Sequence, residues 1–273
     1  MGRYRKLESL DDFSRALRNK YGLGNGSDYK PWLRVQDVRS YGNSGKIYGL
    51  KTQREHHILS ENESCFFYLA EFNDSVIDIR EQFPLLPLDL SVRISKVLGV
   101  AHPTVPKTKS LSVMTTDFVL SCSDGERVWY EAISVKPREE LKSMRSAQKL
   151  EIERHWWQLL GVPFHVFVKN EKNHIISQNI QWITSAVRRG ETVEASALEL
   201  ALSNLSPQKY FLKELCKEMS RHANTSPENF LNIIKYLLSF KLITADLTKP
   251  ISSTGILDIT NVSEDKEALK YAC

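Results

Sequence analysis

The spacing of apolar side chains predicts a layer of mixed helices and strands up to residue 170. Helical periods of three to four residues alternate with short β-prone runs that are bounded by turn residues. In chain order, the predicted elements are a helix capped by Ser60, a strand over residues 76–79, a helix capped by Asp89, strands over 115–122 and 127–136, a helix over 139–160 and a strand over 163–168. Helices beside the strands of one mixed sheet indicate an α/β fold.

The rest of the chain predicts a mostly helical domain. Its predicted elements are helical segments within residues 170–206, helices over 208–221 and 227–241, β runs over 242–247 and 255–260, and a short helix or tail over 263–273. Ser226 caps the second helix of the pair, and Pro227 occupies its first position, where proline is tolerated. A helix pair followed by a hairpin is typical of a winged-helix domain.

Length and composition agree with two domains. The chain has 273 residues, of which 41% are hydrophobic and 26% charged. Together with the change of pattern, this predicts domains at residues 1–170 and 171–273. The net charge of +4 permits nucleic-acid binding without requiring it. Because no apolar run is long enough for a bilayer and none follows the basic N-terminus, we expect a cytoplasmic protein without a membrane partner.

Three ionisable residues come together if the predicted hairpin forms. Asp117 lies on its first strand, Lys136 ends its second strand, and Glu63 lies on the upstream helix. With an even number of loop residues, Asp117 faces Ala132, and Ser134 and Lys136 lie on the same side of the sheet. Two carboxylates can bind Mg²⁺, which activates water, while a lysine supplies a fixed charge near a phosphate. This pattern predicts metal-dependent phosphodiester hydrolysis.

Each of these residues also has a purely structural interpretation. Glu63 can be the glutamate of a capping box with Ser60, Asp117 can cap a turn, and Lys136 can be a solvated strand end. His56 and His57 are a candidate metal pair, but no cysteine or third histidine stands near them. Packing or a phosphate contact is therefore the preferred interpretation of the two histidines.

Two further surfaces are candidates for binding. Lys142, Arg145 and Lys149 have the spacing of one helix face, which is either simply solvated or contacts DNA phosphates. The second helix of the C-terminal pair begins with Asn229 and Asn232 but no arginine, so protein contact is preferred over reading of the major groove.

Several blocks of the sequence resemble the TnsA subunit of heteromeric cut-and-paste transposases. They are residues 29–33, 56–60 leading into Glu63, 78–85, 116–118 and 135–137. The resemblance covers the first 170 residues and, more loosely, the helical remainder. It implies a restriction-endonuclease-like mixed sheet with flanking helices, followed by a mostly helical winged-helix domain.

The resemblance also implies roles for individual residues. Glu63, Asp117 and Lys136 match the catalytic acid, acid and lysine of the family, and the backbone carbonyl of Val135 matches a further metal ligand. The implied cofactor is Mg²⁺, with Mn²⁺ as a substitute. Related nucleases carry an acid, and TnsA proteins often a glutamine, where this chain has Ser134. Its hydroxyl can bind the metal weakly or hold a ligated water, but it brings no charge.

The implied reaction is hydrolysis of DNA phosphodiesters at the 5′ ends of a transposon. A DDE recombinase, TnsB, would cut and join the 3′ ends, and an AAA+ regulator, TnsC, would bind the C-terminal region and license cutting. Two alternatives stay open. One is a catalytically inactive winged-helix adaptor that bridges TnsB and TnsC, which the uncharged Ser134 favours. The other is a restriction or repair nuclease that cuts without accessory subunits.

Overall fold

The chain folds into two compact units that divide between Lys169 and Asn170. A computed structural model describes residues 5–38 and 43–263, so most of the segment predicted as a tail, residues 264–273, lies outside the described residues. Throughout the described ranges, every helix is too short or too polar to cross a bilayer.

The first unit is built on a four-stranded mixed sheet. Its elements are α1 (Leu10–Arg18), β1 (Gly45–Gly49), β2 (Arg54–Ile58), α2 (Glu61–Phe72), β3 (Val76–Pro84), α3 (Leu88–Val97), β4 (Thr115–Ser123), β5 (Val128–Val135), α4 (Met144–Leu159) and β6 (Phe164–Phe167). The strand order is β3-β4-β5-β6, with β6 parallel to β5 and the other neighbours antiparallel. The predicted mixed α/β layer is confirmed.

The separate β1–β2 hairpin was not predicted, because most of β1 is exposed and lacks an apolar alternation.

Helices cover both faces of this sheet. Val119 and Ala132 pack into one buried cluster with side chains of α3 and α4. Phe118 points to the other face because side chains alternate along a strand. There the ring of Phe66, from α2, lies 5.2 Å from the ring of Phe118 and 5.1 Å from that of Phe167, measured between centroids. The strand ends of the sheet are therefore held between two helical layers.

Two predicted helix starts in this unit were wrong. The helix predicted over 139–160 is a 3₁₀ turn at Glu140–Lys142 followed by α4, whose cap is Ser143. The Ser143 hydroxyl accepts a hydrogen bond from the backbone of Ser146, and serine favours such a cap over a helix interior. Similarly, α3 begins after Pro87, and Asp89 lies inside its first turn, where the helix dipole favours a carboxylate.

The second unit packs around one helix. Its elements are α5 (Glu171–Ile183), α6 (Ser185–Arg188), α7 (Ala195–Asn204), β7 (Lys209–Phe211), α8 (Leu212–His222), α9 (Pro227–Ser239), β8 (Ile243–Ala245), α10 (Ile251–Thr254) and β9 (Ile256–Val262). Phe230, Ile234 and Leu237 of α9 are fully buried in its core. The predicted cap at Ser226, with Pro227 in the first turn, is confirmed.

A strand replaces part of one predicted helix in the second unit. The helix predicted over 208–221 begins only at Leu212, because Lys209–Phe211 pair with β9 in a sheet of order β7-β9-β8. This pairing joins residues far apart along the chain, and local helical spacing carries no signal of it.

A buried ion pair ties the β1–β2 hairpin to the main sheet. Arg54 donates two hydrogen bonds to Glu81, at 2.9 Å from Nη1 to Oε1 and 2.7 Å from Nη2 to Oε2. Nδ1 of His56 lies 2.8 Å from Oε2, and the side chains of His56 and Glu81 are fully buried. Burial by itself raises the pKa of Glu81, but His56 and Arg54 outweigh it and hold that pKa well below its usual range.

We predict that Arg54→Leu lowers the free energy of unfolding of the first unit by about 3 kcal/mol, because the buried Glu81 loses two hydrogen bonds and a positive charge. Lys46→Leu is the matched control, since it breaks an exposed pair with Glu55 in the same hairpin and should cost less than about 1 kcal/mol. Urea denaturation followed by tryptophan fluorescence measures both. Equal losses in the two variants would show that the buried pair adds nothing specific.

Candidate active site

The pairing of β4 with β5 sets the position of Asp117. The ladder pairs Val119 with Ala132, and the same register places Asp117 across from Ser134. The prediction that Asp117 faces Ala132 was wrong, because the loop covers residues 124–127, one residue later than predicted. A shift of two residues keeps every side chain on its face, so Asp117 and Ser134 still lie on the same side of the sheet.

One oxygen of Asp117 is surrounded by donors from the end of β5. Its Oδ2 accepts hydrogen bonds from Lys136 Nζ at 2.9 Å, from the backbone N–H of Val135 at 2.7 Å and from Ser134 Oγ at 3.3 Å. Lys136 Nζ also donates to the carbonyl of Val135, at 3.1 Å. Among the described residues, Oδ1 of Asp117 accepts no hydrogen bond. The carboxylate is therefore anchored through one oxygen.

Lys136 is held in its charged form. Burial alone would lower the pKa of its ammonium group, but the negative charges of Asp117 and Glu153 outweigh burial and hold it well above its usual value. Lys136 therefore supplies a fixed positive charge beside Asp117 and is not a proton acceptor at neutral pH.

Glu63 lies in the first turn of α2 and belongs to the acidic cluster. Its carboxylate accepts hydrogen bonds from the Leu59 backbone N–H at 3.0 Å and the Ser60 hydroxyl at 3.0 Å, which secures the start of the helix. Ser60 is the cap as predicted, but the full capping box does not form, because Glu63 takes the N–H of Leu59 in place of that of Ser60. Burial, and then the charge of Asp117, raise the pKa of Glu63 to about 7. The two interpretations of Glu63 are thus compatible.

Glu153 of α4 belongs to the same cluster, although sequence reasoning missed it. Its side chain is 4% exposed, and Oε1 has no hydrogen-bond partner among the described residues. Burial, and then the charge of Asp117, raise the pKa of Glu153 to about 8. A glutamate between the core residues Ile152 and Trp156 was the available signal, because the apolar face of a helix rarely carries a carboxylate.

The two candidate histidines are engaged in packing. Both ring nitrogens of His56 have partners, since Nδ1 contacts Glu81 and Nε2 lies 2.7 Å from Oγ1 of Thr52. Nδ1 of His57 accepts a hydrogen bond from the Val35 backbone N–H at 3.3 Å. These contacts support the packing interpretation over a metal pair.

The donor atoms of the cluster suit a hard cation. Carboxylates of Glu63 and Asp117, the carbonyl of Val135 and the hydroxyl of Ser134 are all oxygen donors, which Mg²⁺ prefers. No group of three or more His, Cys, Asp or Glu side chains in the described ranges is arranged to hold a metal ion. A bound ion would therefore also need the backbone carbonyl, water or phosphate oxygens.

Comparison with known proteins identifies the family. The family described as TnsA-like endonuclease N terminal matches residues 73–169. The chain is also 40% identical over 222 residues to the Transposon Tn7 transposition protein TnsA of Escherichia coli, which covers 81% of this chain and 74% of that protein. The chain belongs to the TnsA family. The predicted resemblance is thus confirmed, and the match to residues 73–169 includes Asp117, Lys136 and Glu153 but not Glu63.

We predict that this TnsA-family protein loses stability between pH 5 and pH 8 in metal-free buffer. Glu63 and Glu153 have raised pKa values, so the folded state binds their protons more tightly than the unfolded chain and stability falls as the pH rises. Glu153→Gln should reduce this fall by roughly 2–4 kcal/mol. Urea denaturation at a series of pH values, with a chelator present, measures the difference.

Glu151→Gln is the control for this experiment. Glu151 lies on the same helix, but it is about half exposed and pairs with Arg154 at 2.8 Å. Its removal should leave the fall in stability between pH 5 and pH 8 unchanged. The same fall in wild type and Glu153→Gln would contradict the assignment of a raised pKa to Glu153.

Proposed function

We propose that the chain is the DNA endonuclease subunit of a transposase and hydrolyses phosphodiesters at the 5′ ends of the transposon. The observation that carries the proposal is the contact of Asp117 with Lys136, on a sheet end where Glu63 adds a second carboxylate. Two acids and a lysine are the groups that a metal-dependent phosphodiesterase uses. Membership of the TnsA family supports the same reaction.

The proposed cofactor is Mg²⁺, with Mn²⁺ as a substitute. Glu63, Asp117 and the Val135 carbonyl would hold the ion, which, when bound, lowers the pKa of a water and offsets charge on the phosphate. Lys136 stays protonated, so its part is to stabilise negative charge on the phosphate. Ser134 donates to Asp117 at 3.3 Å and is only 1% exposed, so we assign it the orientation of that carboxylate in place of a direct metal bond.

We further propose that the partners are a TnsB-like recombinase, acting at the 3′ ends, and a TnsC-like AAA+ ATPase. The relative from Escherichia coli is a transposition protein of Tn7, which supports a role inside such a machine. A cytoplasmic location stays a prediction. So does the expectation that the chain by itself cuts bare DNA poorly.

We infer that the second unit is a winged-helix module used for protein contact. The element order α7-β7-α8-α9-β8-α10-β9, with one three-stranded sheet, supports this interpretation. Most of α9 is buried, including Ile233, Ile234 and Leu238. A recognition helix needs a face that is free to enter the DNA groove, and α9 does not offer a complete one. Contact with the ATPase partner is therefore favoured over base reading.

We predict that Lys136→Ala and Asp117→Ala block 5′ cleavage in a reaction reconstituted with the recombinase and ATPase partners. The loss should be about a hundredfold or more, because each change removes charge that acts on the reacting phosphate. Joining of the 3′ ends should continue and give fused donor–target products. Gel analysis of the products measures both steps.

The control is Asp124→Ala, in the exposed turn between β4 and β5. This variant should support normal excision of the transposon. Excision that is unaffected by Asp117→Ala would favour the inactive adaptor. Robust cleavage of bare DNA by the chain alone would instead favour a restriction or repair nuclease.

We predict that Arg145 and Lys149 contact DNA phosphates. They lie four residues apart on α4, the helix that also carries Glu153, whereas Lys142 lies in the preceding 3₁₀ turn and pairs with Glu139. The three basic residues therefore do not share one helix face as predicted. Changing both Arg145 and Lys149 to glutamine should weaken DNA binding and reduce the salt slope, log Kobs against log[salt], by up to about 2.

A matched control removes the same charges from α8 of the second unit. Lys217 and Arg221 are likewise a lysine and an arginine four residues apart on one helix; both are exposed, whereas Arg145 is half-buried. Changing both to glutamine should leave the salt slope nearly unchanged. Fluorescence anisotropy with a DNA duplex at several salt concentrations compares the variants, and equal slopes for both double variants would remove α4 as the DNA surface.

A further inference from the structure

Gln82 has an unusual backbone at a position next to the acidic cluster. The register of β3 with β4 pairs Glu81 with Phe118 and Phe83 with Thr116, so Gln82 lies directly across from Asp117. The φ angle of Gln82 is +50°, in the left-handed region that residues other than glycine rarely adopt. Such a conformation persists when its surroundings impose it, and it is concentrated at functional sites.

The N-terminal segment imposes this conformation. The backbone N–H of Trp32 donates to the carbonyl of Gln82 at 3.2 Å, and the Tyr29 hydroxyl donates to the carbonyl of Glu81 at 3.0 Å. Trp32 and Tyr29 are 1% and 3% exposed, so both donors are fixed by packing. Two consecutive carbonyls of β3 are thus held by a segment about fifty residues upstream.

The side chain of Gln82 links the two parts of the site. Its Nε2 donates to Oε2 of Glu63 at 3.4 Å, and its Oε1 accepts from Oγ1 of Thr115 at 3.1 Å. Gln82 is 2% exposed, so water does not compete for these hydrogen bonds. The neutral amide of Gln82 thus joins the start of α2 to Thr115, the first residue of β4, which lies two residues before Asp117.

We propose that Gln82 is a positioning residue that holds the Glu63 carboxylate in place to share a divalent ion with Asp117. This proposal rests on the proposed function, since it takes Glu63 and Asp117 as the acids of the metal site. A neutral amide suits the task because it donates to a carboxylate without adding charge to a cluster that already contains Glu153. Partners of this kind orient ligands and tune the affinity for the metal.

Two substitutions separate the amide from the backbone. Gln82→Gly removes the side chain but accepts a positive φ without strain, whereas Gln82→Met keeps the length and strain and removes the hydrogen bonds. In the full chain, we expect each to raise the dissociation constant for Mn²⁺ about tenfold. Electron paramagnetic resonance of free Mn²⁺ during titration measures this constant, and circular dichroism checks that each variant is folded.

Gln53→Gly is the matched control, because Gln53 also has a positive φ, of 53°, in the turn between β1 and β2. It should bind Mn²⁺ as wild type does. Wild-type affinity in folded Gln82→Met would overturn the proposal, and Gln82→Met decides if Gln82→Gly does not fold. Asp117→Ala distinguishes failure of the proposed metal site from failure of the role proposed for Gln82. If Asp117→Ala binds Mn²⁺ like wild type, or if wild type binds no Mn²⁺, the metal site itself is wrong, and the role of Gln82 is wrong with it.

Discussion

The anchoring of Asp117 by the end of β5 is the interaction on which the site depends. Three donors from consecutive residues, Ser134 to Lys136, converge on a single carboxylate oxygen. Antiparallel pairing of β4 and β5 makes this possible, because it places the start of one strand beside the end of the next. The carboxylate is thereby held through one oxygen, and its second oxygen accepts no hydrogen bond from the described residues.

That anchored charge controls the protonation of its neighbours. Against the effect of burial, it keeps Lys136 as an ammonium ion. After burial, it is the second cause that raises the pKa of Glu63 to about 7 and that of Glu153 to about 8. Glu63 and Glu153 therefore hold their protons more tightly than free glutamates do. The same electrostatic arrangement costs stability at high pH.

Strand β3 connects the structural core to this cluster. Glu81 points into the buried ion pair with Arg54, and the next residue, Gln82, reaches Glu63. The N-terminal segment contributes by holding both carbonyls from outside the sheet. Contacts that secure the fold and contacts that arrange the site thus meet on two adjacent residues.

The local sequence predicted those features whose causes are local. The Asp-Gly dipeptide identified the β4–β5 hairpin, Ser60 and Ser226 identified helix starts, and alternation along the strands placed Asp117 and Ser134 on one face. The exact register escaped prediction, because moving the loop by one residue shifts the pairing by two without changing the face.

Long-range contacts decided what remained. Whether Glu153 lies in solvent or beside Asp117 depends on how α4 packs, and the conformation of Gln82 depends on Trp32, fifty positions earlier. β7 exists only because β9 pairs with it. The sequence by itself determined most of the helices and strands, the shared face of Asp117 and Ser134 and the candidate residues of the site. The tertiary structure alone decided which buried charges share one environment, because burial and Coulomb interaction depend on distances in space that local pattern does not contain.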